Sequence, residues 1–528
     1  MQDLLDLVDF VQKTKFKSNT LLEALIKPDS QLGKIYHAYS DGVLPTDQEL
    51  LDRYPELKSL QHIGVLKTRL KNRLCDTVFL LDFREESYPD RQVAFVECVK
   101  KWSSAMILIT KNIRSIGVKQ LEKLLRVTLD FEFTELSVNI IRTLELYYGT
   151  IEGDQKKYTE LESLLNRQEA TWLAEREVER WYSDLMINYV NSRADKHLAA
   201  QKAEEYFEKA RVHMREFPAF KIHFFGYLIQ SIIHDSQNDY EGMTKVCSAA
   251  VAFFEKKKYE SGMVQQTFYY NLISCCLYSR QFEQGKPYVQ VLVKMMPENS
   301  FNWFKVQELY FMMAMHTNNY AVACQTLLQV KENPYLSAQP AHIIEIWKVF
   351  EAYVYFLLLT ETLQDPEAGQ RLNFKISRFL NEVPLLSKDK RGMNVPILIL
   401  QYLVYVAQRR VADCEARAEA LNKYCIRYLN DETTRRSRYF IKMILQIPLN
   451  LFSIPQIREK TARIAEQLHN TPWHTVNQHR EIEIIPYENL WQILLKSLEV
   501  ADLGPAANSM TRLKGNGLSG QQTKFFSA

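Results

Sequence analysis

Basic side chains are concentrated on one short stretch near the start of the chain. Cations in such a cluster can neutralise phosphate groups, so the stretch is a candidate nucleic-acid-binding face. Its members are Lys67, Arg69, Lys71 and Arg73. No acidic residue occurs from 57 to 75, and Thr46 and Glu49 have capping-box spacing ahead of a short helix predicted over 47–53. The pattern predicts a longer helix over about 57–81 with one basic face.

This part of the chain has the outline of a helix-turn-helix: a short helix, a turn at Tyr54-Pro55, and a basic amphipathic helix. Three interpretations follow, namely a nucleic-acid-binding motif, a docking surface for a protein, and a solvated face on a helical capping module. The turn carries Pro where Gly is usual, and many helical hairpins have a basic face. The solvated face is therefore favoured over the other two.

Residue types that hold metals or cofactors are present, but their spacing argues against such sites. His469, His474 and His479 lie five residues apart, which turns each side chain about 140° from the last on a helix. The G-x-G-x-x-G run at 515–520 is followed by only eight residues, where a dinucleotide-binding loop needs a strand before it and a helix after it. We expect no cofactor, no metal ion and no catalytic residue, and we do not expect an enzyme.

The stretch 266–299 predicts two helices joined by a tight turn. The first apolar stripe has helical spacing, a turn follows at 279–282, and a second stripe ends at Pro297. The stripes consist of Tyr269, Leu272, Ile273 and Cys276, and then Gly285, Val289 and Leu292. Neither helix can bury its apolar face alone, so neighbouring helix pairs must supply the rest of the core.

These thirty-four residues resemble a tetratricopeptide repeat and align with its pattern without a gap. Leu272 and Pro297 match strictly, while the other stripe residues keep only size or polarity. The resemblance extends in part over 196–332. It implies an α-solenoid in which the first helix of each pair lines a concave, partner-binding surface.

The resemblance also implies which residues line that groove. In the best-matching unit they are Thr267, Tyr270, Ser274 and Tyr278, and in the next unit they are Lys305, Glu308, Met312 and His316. Family members that bind chaperones clamp a terminal carboxylate with Lys and Asn. Tyr270, Ser274, Glu308 and Met312 depart from that pattern, so the resemblance implies a protein or peptide partner of another kind.

The remainder of the chain continues the helix-pair periodicity. Nine pairs are predicted over about 92–130, 134–168, 169–215, 219–257, 261–297, 299–332, 337–382, 393–428 and 431–469. Related turns at 238–240, 280–282 and 318–320 each end in an aromatic residue before the second helix. We predict a helical module over 1–90, a solenoid over 91–502 that ends in a capping helix at 487–502, and a disordered tail over 503–528.

Composition agrees with a large helical interior. The chain has 528 residues, of which 46% are apolar, with only 16 Gly and 17 Pro, and its net charge is +3. The eight cysteines form no C-x-x-C pair and are expected to be reduced. No secretory signal is expected, and the apolar stretches 341–360 and 393–408 contain too many polar residues to span a membrane. A cytoplasmic location is expected.

The sequence thus predicts an all-α protein with an N-terminal helical cap and an α-solenoid of about nine helix pairs. The favoured function is a scaffold that binds a protein or peptide on the concave face. The alternative is a nucleic-acid-associated regulator, in which the basic module binds DNA and the solenoid senses a partner.

Overall fold

The computed structural model describes residues 2–13, 26–27, 29–40, 45–57, 59–80, 90–191, 196–372, 374, 394–430, 434–471 and 483–502. Within these residues every regular element is helical, and 22 α-helices are present, labelled α1 to α22 below. The predicted all-α class is confirmed. The tail predicted over 503–528 lies outside the described residues.

Four helices near the start of the chain share a hydrophobic core of their own. They are α1 (Gln2–Lys13), α2 (Gln31–Ser40), α3 (Asp47–Arg53) and α4 (Leu60–Thr77). The fully buried Val8, Ile35 and Leu70 are among the side chains of this core. The predicted capping box at α3 is confirmed, because the Glu49 N–H donates to Thr46 Oγ1 and the Thr46 N–H donates to the Glu49 carboxylate, at 3.2 and 2.7 Å.

Eighteen further helices follow in the described residues. The first five are α5 (Asp90–Thr110), α6 (Arg114–Asp130), α7 (Thr134–Tyr147), α8 (Gln155–Asn191) and α9 (Lys196–Glu216). The next six are α10 (Phe220–Gln237), α11 (Tyr240–Glu255), α12 (Gly262–Tyr278), α13 (Phe282–Lys294), α14 (Phe301–His316) and α15 (Tyr320–Glu332). The last seven are α16 (Ala341–Leu359), α17 (Pro366–Leu372), α18 (Asn394–Ala407), α19 (Val411–Tyr428), α20 (Arg435–Leu449), α21 (Ile454–His469) and α22 (Tyr487–Asp502).

The predicted boundary between helix pairs at 168/169 is wrong. α8 runs through it as one helix of 37 residues, so three helices occupy the region where four were expected. The reason is visible in its sequence, which contains no Gly or Pro to end a helix at that point. Nothing in the local sequence therefore ends the helix at 168/169.

Six helix pairs from α10 to α21 are joined by the same backbone turn. A residue with positive φ follows the first helix at 238, 280, 318, 361, 409 and 451, at intervals of 38 to 48 residues. The N–H of the next residue donates to the carbonyl five positions back, for example from Gln281 to Cys276 at 2.8 Å. This is the Schellman ending of a helix. The three turns predicted from the sequence at 238–240, 280–282 and 318–320 belong to this set.

The structure divides into two compact units. One comprises 1–184, 206–226 and 252–264, and the other comprises 185–205, 227–251 and 265–528. Within the second unit, helices adjacent in sequence pack together from α13 to α16 and from α18 to α21. α22, the helix predicted to cap the array, packs on α21 but also on α18 and α20. Its position determines what remains accessible near the predicted groove.

Candidate partner-binding site

The four groove residues predicted on α12 lie along one side of the helix, at intervals of three or four residues. Ser274 is buried, and its hydroxyl donates to the Tyr270 carbonyl at 3.0 Å. Thr267, Tyr270 and Tyr278 are half-buried. The Tyr278 ring stacks on Tyr240 at the start of α11, with the ring centroids 4.9 Å apart. α12 therefore offers a partly accessible aromatic and hydroxyl surface.

The groove residues predicted on α14 are less accessible. Glu308, Met312 and His316 are 5%, 4% and 2% exposed. Lys305 is half-buried and its ammonium contacts both carboxylate oxygens of Glu308, at 2.8 and 2.9 Å. Contrary to the expectation from the resemblance, Ser274, Glu308, Met312 and His316 do not line an open surface in this structure.

The burial of His316 comes from the chain segment that leads into α22. His316 Nε2 lies 2.5 Å from the carbonyl oxygen of Glu483. A carbonyl only accepts, so the ring carries its proton on Nε2, and burial lowers the His316 pKa to about 4, which keeps the ring neutral. Nearby, the Asn489 side-chain amide donates to Asn318 Oδ1 at 2.8 Å. The end of α14 is thus covered by residues 167 and 171 positions later.

The same segment is held by a buried arginine, Arg436, whose side chain is 2% exposed. Its Nε and Nη2 donate to the two carboxylate oxygens of Glu483, at 2.6 and 3.0 Å. Nη2 also contacts the Glu488 carboxylate at 2.7 Å, and Nη1 donates to the carbonyls of Leu468 and Thr471, at 2.8 and 2.5 Å. All three guanidinium nitrogens therefore have partners, as a buried arginine requires.

Burial and the neighbouring carboxylates shift the pKa of the Arg436 guanidinium in opposite directions. Burial alone would lower the pKa of Arg436, but Glu483 and Glu488 raise it above the ordinary value. Tyr487 completes the arrangement, since its ring stacks on Phe440 at 4.5 Å and its hydroxyl lies 2.9 Å from the Ser437 hydroxyl. The cluster fastens the start of α22 to α20. Sequence reasoning missed it because Arg436 stands in a mixed-charge run and its acids lie about fifty residues away.

The basic face predicted on α4 is partly neutralised within its own module. Lys67 is 12% exposed, pairs with Asp47, and lies over the Tyr39 ring. Lys71 Nζ lies 3.1 Å from a carboxylate oxygen of Asp3. Arg69 and Arg73 are exposed on the same helix. The acids come from α1 and α3, so a scan of α4 alone could not show these pairs.

A second buried polar cluster lies in the first unit. Arg91 lies over the Phe220 ring at 3.7 Å and donates to the carbonyls of Phe131 and Glu132, at 3.1 and 3.2 Å. Glu175 is 2% exposed and accepts a hydrogen bond from the Thr134 hydroxyl at 2.8 Å. Burial raises the Glu175 pKa to about 7.

A cavity of about 430 Å³ opens beside α14 and α15. It is lined by Glu298, Trp303, Gln325, Leu328, Gln329, Glu332, Asn333, Pro334 and Arg371. None of the eight groove residues implied by the repeat resemblance lines it. The sequence does not indicate this cavity, because its polar residues form no known motif and come from four separate segments.

Comparisons with protein families, with curated proteins and with solved structures found no match to this chain. Among the described residues, no helix is both long enough and apolar enough to cross a bilayer.

Proposed function

We propose that the protein is a non-enzymatic scaffold, that its helix pairs form an α-solenoid similar to tetratricopeptide repeats, and that it binds a protein or peptide partner. The observation that carries this proposal is the recurrence of one turn geometry through six successive helix pairs. Repetition of one packing unit builds an extended surface, and such surfaces usually bind peptides or proteins.

The partner is expected on the first helices of the pairs, at α12. The half-buried Tyr270 presents part of its ring and can contribute apolar contact with little loss of side-chain entropy. The Tyr227 ring of α10 meets the Phe268 ring edge-on at 6.1 Å, which supports side-by-side first helices in this part of the second unit. Thr267 and Tyr278 supply hydroxyl groups beside Tyr270.

The burial of the α14 positions narrows the proposed surface. Glu308, Met312 and His316 are buried, so a partner cannot reach them in this structure. At His316 the covering group is the Glu483 carbonyl, in the segment that leads into α22. The binding surface is therefore proposed to end at Lys305. The alternative of a nucleic-acid-associated regulator ranks second, because Lys67 and Lys71 already pair with acids of their own module.

The test compares two tyrosines in the intact chain. A partner is first captured on the immobilised protein and purified, and its Kd is then measured for wild type, Tyr270→Ala and Tyr335→Ala. Tyr335 is 49% exposed but lies outside the first helices, in the short helical segment after α15, so it is a matched control. Tyr270→Ala is expected to weaken binding by about tenfold or more, as central interface tyrosines commonly do. Tyr335→Ala should leave Kd unchanged.

The two main alternatives give different results. If Tyr270→Ala binds as tightly as wild type while Tyr335→Ala does not, the first-helix surface is not the binding site. If residues 1–90 alone bind duplex DNA tightly and with steep salt dependence, and Arg69→Glu with Arg73→Glu abolishes that binding, the regulator is the better description.

A further inference from the structure

We infer that the turn between α5 and α6, with the helical turns on either side of it, binds the surface of an anionic lipid membrane. This segment, residues 107–119, is called the α5–α6 tip below. It belongs to the first unit, whereas Thr267, Tyr270 and Tyr278 belong to the second. The inference is therefore independent of the partner surface proposed at α12.

The tip presents large aliphatic side chains to solvent. Ile107, Ile113 and Ile116 are 63%, 46% and 59% exposed, and every residue from 110 to 116 is exposed. At a rise of 1.5 Å per residue, the three isoleucines lie within about one helical turn of the end of the hairpin. Exposed apolar side chains gathered at one place are typical of sites that bind a protein or a membrane.

The same tip is cationic. Lys111, Arg114 and Lys119 are exposed, and none of them forms an ion pair with another residue that the structure describes. Arg114 donates only to the side-chain oxygen of Asn112, at 3.2 Å. The sequence has no acidic residue from 98 to 121. These charges therefore remain available to an anionic partner, and each cation beside an anionic bilayer strengthens binding by about fivefold.

The tip is held in one conformation. The N–H groups of Lys111, Asn112 and Ile113 donate to carbonyls in the last turns of α5, at 3.0, 3.0 and 2.9 Å. Gly117 of α6 packs closely on α5, since a Cβ atom there would lie 2.6 Å from a side-chain carbon of Ile109. The isoleucines and cations are thus presented without an ordering cost at the moment of binding.

The neighbouring helix end extends the apolar face. α6 and α7 pack on each other and are joined by a turn of three residues, so the end of α7 lies at the same edge as the start of α6. Leu146 and Ile151 are exposed there. Glu152 also lies at this second end, so the cationic part of the face is the α5–α6 tip itself.

A lipid surface fits this combination better than other anionic partners do. Aliphatic groups enter below the headgroups of a bilayer while cations stay at headgroup level, so both kinds of side chain are used. Nucleic acid would pair with the cations, but its phosphate backbone offers no apolar layer for the isoleucines. An acidic protein would need a concave site shaped to a protruding turn, whereas a lipid surface adapts to one.

The test measures binding of the full chain to lipid vesicles by cosedimentation. One set of vesicles contains phosphatidylcholine and phosphatidylserine in about a 3:1 ratio, and the other contains phosphatidylcholine alone. The wild type is expected to bind the anionic vesicles at least about tenfold more tightly, and to bind them less tightly as salt is added.

A charge-reversal variant tests the cations. Lys111→Glu combined with Arg114→Glu should weaken binding to the anionic vesicles by at least about twentyfold. The control is Lys256→Glu combined with Lys258→Glu, which makes the same change of charge at two exposed residues of the same unit. These lysines flank the residue that pairs with Glu132, beyond the opposite end of α6, so the control should bind like wild type.

A second variant tests the aliphatic contact. Ile113→Ser combined with Ile116→Ser should weaken binding by about tenfold or more, because less apolar surface leaves water. Val212→Ser is the control, since Val212 is 59% exposed in the same unit but lies outside the tip, and it should bind like wild type. All the substituted side chains are exposed, so the variants are expected to melt with the wild type.

Hydrogen exchange of the wild type needs no variant. Exchange over 107–119 should slow when the anionic vesicles are added. Equal binding to both kinds of vesicle, or slowing elsewhere with none at the tip, would overturn the inference. So would loss of binding in the charge variant with none in the isoleucine variant, which is the pattern expected of a nucleic acid or an acidic protein site. Tyr270→Ala should leave vesicle binding unchanged, so failure here and failure of the α12 surface are distinguishable.

Discussion

Substituting Arg436 by Met tests whether the buried ion cluster holds α22 in place. Methionine fills much of the same volume but removes the cation, which leaves Glu483 buried without its partner. Breaking a buried pair in this way typically destabilises a protein by about 3–5 kcal/mol. The double variant Arg436→Met, Glu483→Gln removes the stranded charge, so we expect it to lose only about 1–2 kcal/mol through lost hydrogen bonds.

The two variants should differ clearly in a melting experiment. The unit that contains Arg436 has about 300 residues. At about 1.5–2 °C per kcal/mol for a unit of this size, the single variant should melt about 5–10 °C below wild type, and the double variant only about 2–4 °C below. Hydrogen exchange should speed up in α20 and α22 before it does in α12. The variant Glu483→Gln alone completes the double-mutant cycle and isolates the coupling between the two side chains.

The stability difference between wild type and Arg436→Met should depend on pH in a defined direction. Burial raises the pKa of Glu483, against the lowering effect of Arg436. Without Arg436 this pKa should rise further, so in acid the carboxyl becomes protonated and the stranded charge disappears. The gap between wild type and Arg436→Met should thus be small near pH 4 and widen toward pH 8. Equal losses in the single and double variants, or a gap that widens in acid, would refute the reasoning.

Two other substitutions test separate features of the fold. Glu175 has a folded pKa of about 7 against an ordinary value of 4.5, so the first unit loses stability as pH rises from about 4.5 to 7, where the carboxyl is ionised in the unfolded chain but still protonated in the folded one. Glu175→Gln should therefore match wild type near pH 4 and gain about 1–3 kcal/mol at pH 8 in thermal unfolding. Arg280 has a φ of +56°, which a side chain disfavours by about 1–2 kcal/mol; Arg280→Gly should raise Tm, whereas Asn318→Gly should do so less, since Asn tolerates this conformation. A Glu175→Gln variant as strongly stabilised at pH 4 as at pH 8, or equal gains at 280 and 318, would contradict these assignments.

Local features of the fold were predictable from the sequence. The capping box at Thr46 and the turn at Arg280 depend on residues within a few positions of each other. The paired helices α12 and α13 likewise follow from their apolar stripes and the turn between them. Helix periodicity and turn chemistry act over such short distances, so one sequence shows them.

Accessibility at the candidate site was not predictable. The exposure of His316 depends on Glu483, and that of Lys67 depends on Asp47, which belong to other helices. The repeat pattern gives a position within a helix pair but does not show which later segment covers it. The cavity beside Trp303 was not predictable for the same reason. Its walls come from separate parts of the chain, including α15 and Arg371, and no local pattern marks it.

The return of α22 toward α14 sets an order of events during synthesis. His316 is synthesised before its hydrogen-bond acceptor, the Glu483 carbonyl, which is 167 residues further along the chain. Arg436 likewise precedes the Glu483 carboxylate by 47 residues. At about 5–20 residues per second, His316 leaves the ribosome roughly 8–30 s before Glu483 does. The earlier helix pairs can dock on one another in that interval. The cluster around Arg436 is incomplete until α22 emerges. A chain that terminated before Glu483 would therefore leave the Arg436 guanidinium without its carboxylate partners, a defect that cellular quality control could recognise.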